Sequence, residues 1–409
     1  MRTAFQIFTL ILLMTFNAVS QPGWFQVRSE GDPLLFSIDL FDADHITAVG
    51  SNGLILQSDN GGASWRTVSS AASENLRRVR WFSPSLGILL GNGGMALKST
   101  DGGATWQQLT TGTSVVLFDV HFFDENNWLV IGQAAFEMTT TDGGATWDYQ
   151  GSGTNNFNEI AFKGDLGIIV GNKGTIRTTE DGGSHWRDRS GATDFELTSI
   201  SIGDDSTAIA VGANGTILRT EDKGRKWTVV FASIPLSTFR LSGVRHLTRE
   251  RVVLAGYGGL LLWSTDAGLS WYPQESNTQK NLEALSFIDS KNGVAAGWDG
   301  TIMRTTTGGT LAVTRLAGSL PASVRVQESW PNPIAHNGLA HVRIELPHSG
   351  TARLRVYDLL GRERKTILSD AMDAGSYTVS WDASLPKGVY LYRLEQNGLS
   401  QVRKFTVVD

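Results

Sequence analysis

The 409-residue chain contains no cysteine. That absence removes disulfide frameworks, cysteine-ligated zinc, iron–sulfur clusters and thiol nucleophiles together. Proline is scarce, with 10 residues, and charged residues make up only 18% of the chain. Positive charge is in deficit over the larger part. Residues 1–326 carry 25 lysines and arginines against 31 aspartates and glutamates, while 327–409 carry 10 against 9. A body of net negative charge is a poor polyanion binder, because phosphate affinity requires a basic surface, so nucleic acid is not expected as a partner. The chain also lacks His-Glu-x-x-His, a P-loop, a nucleophile elbow and a dinucleotide fingerprint. Its seven histidines are dispersed. His336, His341 and His348 fall close together in sequence but read as surface residues. No catalytic, metal or cofactor-binding residue is expected.

Long hydrophobic runs are also missing, with one exception. Arg2 precedes an apolar run over residues 4–16, followed by Asn17, Ala18, Val19 and Ser20. A basic start, about a dozen apolar residues and small residues at −3 and −1 describe a secretory signal peptide, too short to span a bilayer. The sequence therefore predicts a signal peptide over 1–20, cleaved after Ser20, and an exported mature chain without a transmembrane segment.

Glycine and tryptophan are abundant, with 46 and 13 residues. Tryptophans stand at Trp24, Trp65, Trp106, Trp147, Trp186, Trp227 and Trp271, at intervals of 41, 41, 41, 39, 41 and 44 residues. Six are preceded by Ser/Thr-x-Asp-x-Gly-x-x-Trp. The Asp position is held by Asn60 in the first copy, then by Asp101, Asp142, Asp181, Asp222 and Asp266. A seventh copy is degenerate, with Thr305, Thr307 and Gly309 but Ala312 where tryptophan would stand. A period near forty residues signals a repeat architecture. Each copy reads as four short strands. The first begins at Leu35, Leu76, Leu117, Phe157, Leu197, Leu241 and Leu282, and the second and third are joined by turns such as Asn214-Gly215. Four strands per repeat, arranged radially, make a β-propeller. The expectation is an all-β chain: a seven-bladed propeller over 21–312, a linker over 313–326 and a small β-sandwich over 327–409. The motif aspartates read as turn-locking side chains, because a catalytic constellation occurs once rather than six times.

The run Gly171-Asn-Lys-Gly174-Thr-Ile176-Arg-Thr-Thr179-Glu-Asp181-Gly-Gly183-Ser-His-Trp186 resembles Asp-box (BNR-type) propellers, and above all the photosystem II assembly/stability factor family. That resemblance covers about residues 24–310 and implies a single seven-bladed ring. The last copy lacks its tryptophan, while Trp24-Phe25-Gln26-Val27 precedes the first full set of inner strands. The N-terminal strand is therefore expected to complete the last blade.

The C-terminal segment resembles another family. Trp330-Pro331-Asn332-Pro333, then Val356-Tyr357-Asp358 with Gly361-Arg362, Ala374-Gly375 with Tyr377, Trp381-Asp382, and Gly388-Val389-Tyr390 resemble the type IX (Por) secretion system sorting domain. The resemblance implies that residues 327–409 engage the type IX machinery. It also implies delivery through the periplasm and across the outer membrane, to the cell surface or beyond, away from photosynthetic membranes.

Alternation along a strand puts the third and fifth side chains of each innermost strand on one face, toward the channel. Those positions hold Arg78, Arg80, Asp119, His121, Glu159 and Arg245, which are expected to form a mixed-charge mouth for a protein or glycan ligand. The sequence thus points to an exported, non-catalytic binding scaffold or assembly-factor-like protein. The alternative is an Asp-box glycoside hydrolase or sialidase-like enzyme using Asp119 and Glu159 as paired carboxylates. A sialidase would need a Phe/Tyr-Arg-Ile-Pro string, and the nearest is Phe239-Arg240-Leu241.

Overall fold

Each of the first six copies of the repeat folds as one antiparallel four-stranded sheet, with its strands in chain order from the centre outward. In the first blade these are Leu35–Leu40, Ile46–Gly50, Ile55–Ser58 and Arg66–Thr67. The computed structural model describes residues 23–28, 34–70, 72–151, 153–230, 236, 238–274, 276–309, 312–316, 321–335, 339–383 and 385–408. The expected signal peptide, its cleavage site after Ser20 and His336 lie outside the described residues. Among these residues, seven such sheets form the propeller. The innermost strands are Leu35–Leu40, Leu76–Trp81, Leu117–Phe122, Phe157–Lys163, Leu197–Ile202, Leu241–His246 and Leu282–Phe287. Each packs on the next, and the seventh packs on the first, so the ring closes. The second strands, such as Ala208–Gly212, are buried along their whole length, which explains their unbroken apolar sequence.

The Asp box is a hydrogen-bonded turn. Ser99 Oγ lies 2.8 Å from Asp101 Oδ1 and accepts the Gly103 N–H at 2.8 Å. Asp101 in turn accepts the Thr105 N–H at 3.0 Å and its hydroxyl at 2.6 Å. The same backbone bond recurs at Asn60, Asp142, Asp181, Asp222 and Asp266, at 2.9 Å each. The side chain satisfies a donor that the turn would otherwise leave unpaired. Glycine is required at Gly174, where φ is +67° and a Cβ would sit 1.8 Å from the Thr193 carbonyl oxygen.

Ring closure follows the sequence expectation. Phe25–Arg28 forms the outer strand of the seventh blade, with Phe25 opposite Arg304 and Gln26 opposite Met303. This matches the register of Arg66 on Gln57 in the first blade. Trp24 is fully buried, meets Phe287 edge-on at 5.7 Å and donates its indole N–H to Gln274 Oε1 at 2.8 Å. Gln274 Nε2 reaches the Gly309 carbonyl at 2.7 Å, tying the degenerate box to the incoming strand. Burying one tryptophan contributes on the order of 4–6 kcal/mol by area.

The C-terminal part is a two-sheet sandwich. One sheet is ordered Ala312–Leu316, Gly375–Asp382, Leu339–Leu346, Arg325–Val326. The other is ordered Ile334–Ala335, Leu399–Val408, Gly388–Gln396, Gly350–Asp358, Glu363–Met372. Its core includes Trp381, Tyr392 and Phe405, with Tyr392 stacked on Phe405 at 4.1 Å. The expected linker is corrected at both ends. Residues 312–316 pair with 376–380, and Arg325–Val326 pairs with Glu345 and Ile344. A sheet edge presents unpaired N–H and C=O groups, and the chain leaving the propeller satisfies them. Among the described residues, no helix is long and apolar enough to cross a membrane.

Candidate functional site

Third-position side chains of the innermost strands stitch the blades together. Ser37 Oγ accepts the Val79 N–H at 3.2 Å, Asp119 Oδ2 the Ile160 N–H at 3.2 Å, Glu159 Oε2 the Ile200 N–H at 3.0 Å, and Ser199 Oγ the Val244 N–H at 3.1 Å. Arg78 has no acceptor to offer, and there Asp119 Oδ1 takes the Val120 N–H at 3.0 Å. The fifth position repeats the device at Asp39, whose Oδ2 accepts the Trp81 N–H at 3.0 Å.

Five of the six residues expected at the mouth meet inside the channel. Arg80 forks onto Asp119 through Nε and Nη2, at 3.1 Å each, and Nη2 also lies 3.0 Å from Glu159 Oε1. Arg78 Nε sits 3.1 Å from Asp119 Oδ1 and its Nη1 3.6 Å from Glu159 Oε1. Arg245 Nη2 closes the cluster at 2.9 Å from Glu159 Oε1. Burial alone would push the Glu159 carboxyl up. The guanidiniums of Arg245, Arg78 and Arg80 outweigh it and hold the group well below the ordinary carboxylate range. A carboxyl held ionised by three cations is poorly suited to be a glycosidase's general acid, which needs a raised pKa.

His121 stands apart from the cluster. It stacks on Phe162 at 4.3 Å and meets Phe123 edge-on, and burial pushes its imidazole down to about 4. It lines a cavity of about 410 Å3 at the end where the innermost strands finish, together with Arg80, Glu159, Lys163 and Arg245. Three cations there face one carboxylate that is already engaged. Phe82, Phe122, Phe162 and Ile202 supply apolar wall. Lys163 was not foreseen. Its signal was available as the one extra residue by which the fourth innermost strand is longer than the others.

A second group escaped the sequence reading. In all seven blades the innermost strand carries a β-bulge between its first and third residues, as between Leu76 and Arg78. Bulges re-aim side chains. Here the second residues Phe36, Arg77, Phe118, Asn158, Thr198, Ser242 and Glu283 line a separate cavity of about 200 Å3 at the opposite end. Arg240 lines it too, in an ion pair with Glu196 rather than in a sialidase motif.

The box aspartates stay in their turns, remote from both cavities' chemistry. Among the described residues no three of His, Asp and Glu gather as metal ligands. His341 instead bonds Ser380 at 2.8 Å.

Residues 16–115, 105–188 and 152–238 each match the family model described as photosynthesis system II assembly factor YCF48. These matches span more than half of the chain. The chain belongs to the YCF48 family. Residues 328–408 match the secretion system C-terminal sorting domain, which marks the chain for export to the cell surface or beyond by the type IX route. Solved YCF48 structures are similar in fold. One with a bound D1 peptide is 20% identical, with 71% of this chain and 99% of that one covered at a TM-score of 0.60. YCF48 from Cyanidioschyzon merolae is 18% identical, with 69% and 98% covered at 0.59. PorZ of Porphyromonas gingivalis, an essential surface component of its type IX secretion system, is 14% identical, with 93% of this chain and 60% of PorZ covered at 0.55. No curated protein matches the chain.

Proposed function

We infer that this YCF48-family chain is an exported, non-catalytic scaffold that holds an acidic peptide segment of a partner protein at the end of the channel where the innermost strands finish. The observation that carries this is a cavity with aromatic walls where Lys163 stands beside a channel cluster whose three arginines, Arg78, Arg80 and Arg245, outnumber its two carboxylates, Asp119 and Glu159. Such a lining attracts carboxylates and accommodates an apolar neighbour, a combination common to peptide sites. The YCF48 structure holding a D1 peptide supports a peptide as the class of ligand. Export by the type IX route favours a partner on the cell surface or outside the cell over one in a photosynthetic membrane. Asp119 and Glu159 act as anchors for the arginines, not as a hydrolytic pair.

Fluorescent peptides rich in Asp and Glu, titrated against the full mature chain beside their Asn/Gln counterparts, test this. Binding should weaken as salt rises. It should drop by about tenfold or more in Lys163→Glu, since reversing a charge at the rim turns attraction into repulsion. Equal binding of the neutral counterparts would end the acidic-peptide reading.

A further inference from the structure

The opposite end of the channel has a different chemistry. Glu283 Oε1 accepts both the Tyr257 hydroxyl at 2.8 Å and the Trp298 indole N–H at 2.7 Å. Its Oε2 has no partner among the described residues. Tyr257 and Trp298 open the turns of the sixth and seventh blades and sit 5.9 Å apart, with Trp298 39% exposed. Arg77 Cζ sits 4.3 Å over the Phe36 ring and its Nε donates to Asn92 Oδ1, 3.0 Å away, leaving its terminal nitrogens for the cavity. Three guanidiniums stand against two carboxylates in this lining, and most of that charge is matched: Arg240 pairs with Glu196, Arg78 is drawn onto Asp119 and Glu159 in the channel, and Arg77 and Glu283 carry opposite signs.

We propose that this mouth, where the innermost strands begin, binds the end of a neutral glycan. An exposed indole offers a flat apolar face to the C–H side of a sugar ring. A carboxylate oxygen, guanidinium nitrogens and the Asn158 amide oxygen, whose Nδ2 is held by Asn172, Glu196 and Leu197, suit the donor and acceptor pairs of vicinal hydroxyls. With one guanidinium in excess, against two cations in excess at the other end, this lining attracts an acidic ligand less, which separates it from the cationic mouth. The inference goes beyond the peptide reading and stands independently of it.

The test is an array carrying neutral and acidic glycans, probed with the full mature chain and with Trp298→Ala, Glu283→Gln and Lys163→Glu. Retention on a neutral glycan is expected. Trp298→Ala should weaken it by about tenfold or more, because a stacked aromatic and its buried area are lost together. Glu283→Gln should weaken it as well, at an unchanged melting temperature, and Lys163→Glu should bind as the parent does. No retention on any neutral glycan, retention on acidic glycans alone, or retention indifferent to both Trp298→Ala and Glu283→Gln would overturn the proposal. So would peptide binding lost in Trp298→Ala, which would make this mouth a peptide site.

Discussion

The two mouths of the channel are built from the same seven strands yet differ in almost every property that a ligand would feel. Where the strands end, side chains on the regular pleat give an excess of guanidinium and ammonium groups with phenylalanine walls. Where they begin, the bulge turns the second residue of each strand into the opening, the charge is more nearly balanced, and Trp298 and Tyr257 donate to Glu283. The first and fourth positions are apolar and buried in every blade because packing needs them, from Leu35 and Ile38 to Leu282 and Leu285. The second, third and fifth positions are free to differ. A ring of near-identical repeats therefore carries two dissimilar sites.

The change with the largest expected effect abolishes both ends at once. Deleting residues 21–30 removes Trp24 and the closing strand, takes away the strand that ties the chain's start into the seventh blade, and exposes the sheet edge of Ile302–Thr305. A fully buried tryptophan alone costs about 3–5 kcal/mol to truncate. The melting temperature should fall sharply and neither ligand class should bind; an unchanged melting curve would sink the closure account.

Next in size is Glu159→Ala. It strips Arg245 of its carboxylate partner and leaves Arg78 and Arg80 with Asp119 alone. Removing one partner of a buried ion cluster costs about 3–5 kcal/mol, because the remaining charges stay desolvated. Both mouths should weaken together, since the cluster lies between them. Loss at the cationic mouth alone, at full stability, would show that Glu159 serves the ligand rather than the channel.

Much of this was legible in the sequence. The period of the tryptophans gave the blade number, the decayed box at Thr305 with Trp24 at the other end gave the closure, and strand alternation gave the third and fifth positions. The pairings were not legible. Arg80 and Arg245 meet on Glu159 only because the ring brings their strands round to one axis. The second mouth was hidden because alternation assigns Arg77 and Glu283 to the opposite face, and a bulge leaves no mark on the local hydrophobic pattern. The column formed by Asn92, Asn172, Tyr257 and Trp298, each just after the glycine that ends a second strand, was the available signal. The strand 312–316 was missed because its pairing is set by a partner about 65 residues ahead.

The smallest expected effect is also the sharpest discriminator between the ends, because only one of their cavities is lined by a histidine. Burial pushes His121 down to about 4, and His246, the neighbour of Arg245 in the sixth blade, likewise. No histidine lines the opposite cavity. Below the ordinary value of 6.5 the unfolded chain takes up these protons before the folded one does, so stability falls as pH drops from 6.5 toward 4. The box carboxyls respond later. The Thr105 and Thr146 hydroxyls hold Asp101 and Asp142 at about 2, so their contribution persists above the ordinary 3.8 and is lost as pH falls toward 2. Melting temperature against pH should therefore descend in two separate steps. His121→Phe combined with His246→Gln should flatten the first and spare the second. Neutral-glycan binding should hold through the first step while acidic-peptide binding changes across it. An upper step that survives in the double variant would mean that the asymmetry between the mouths does not extend to protons.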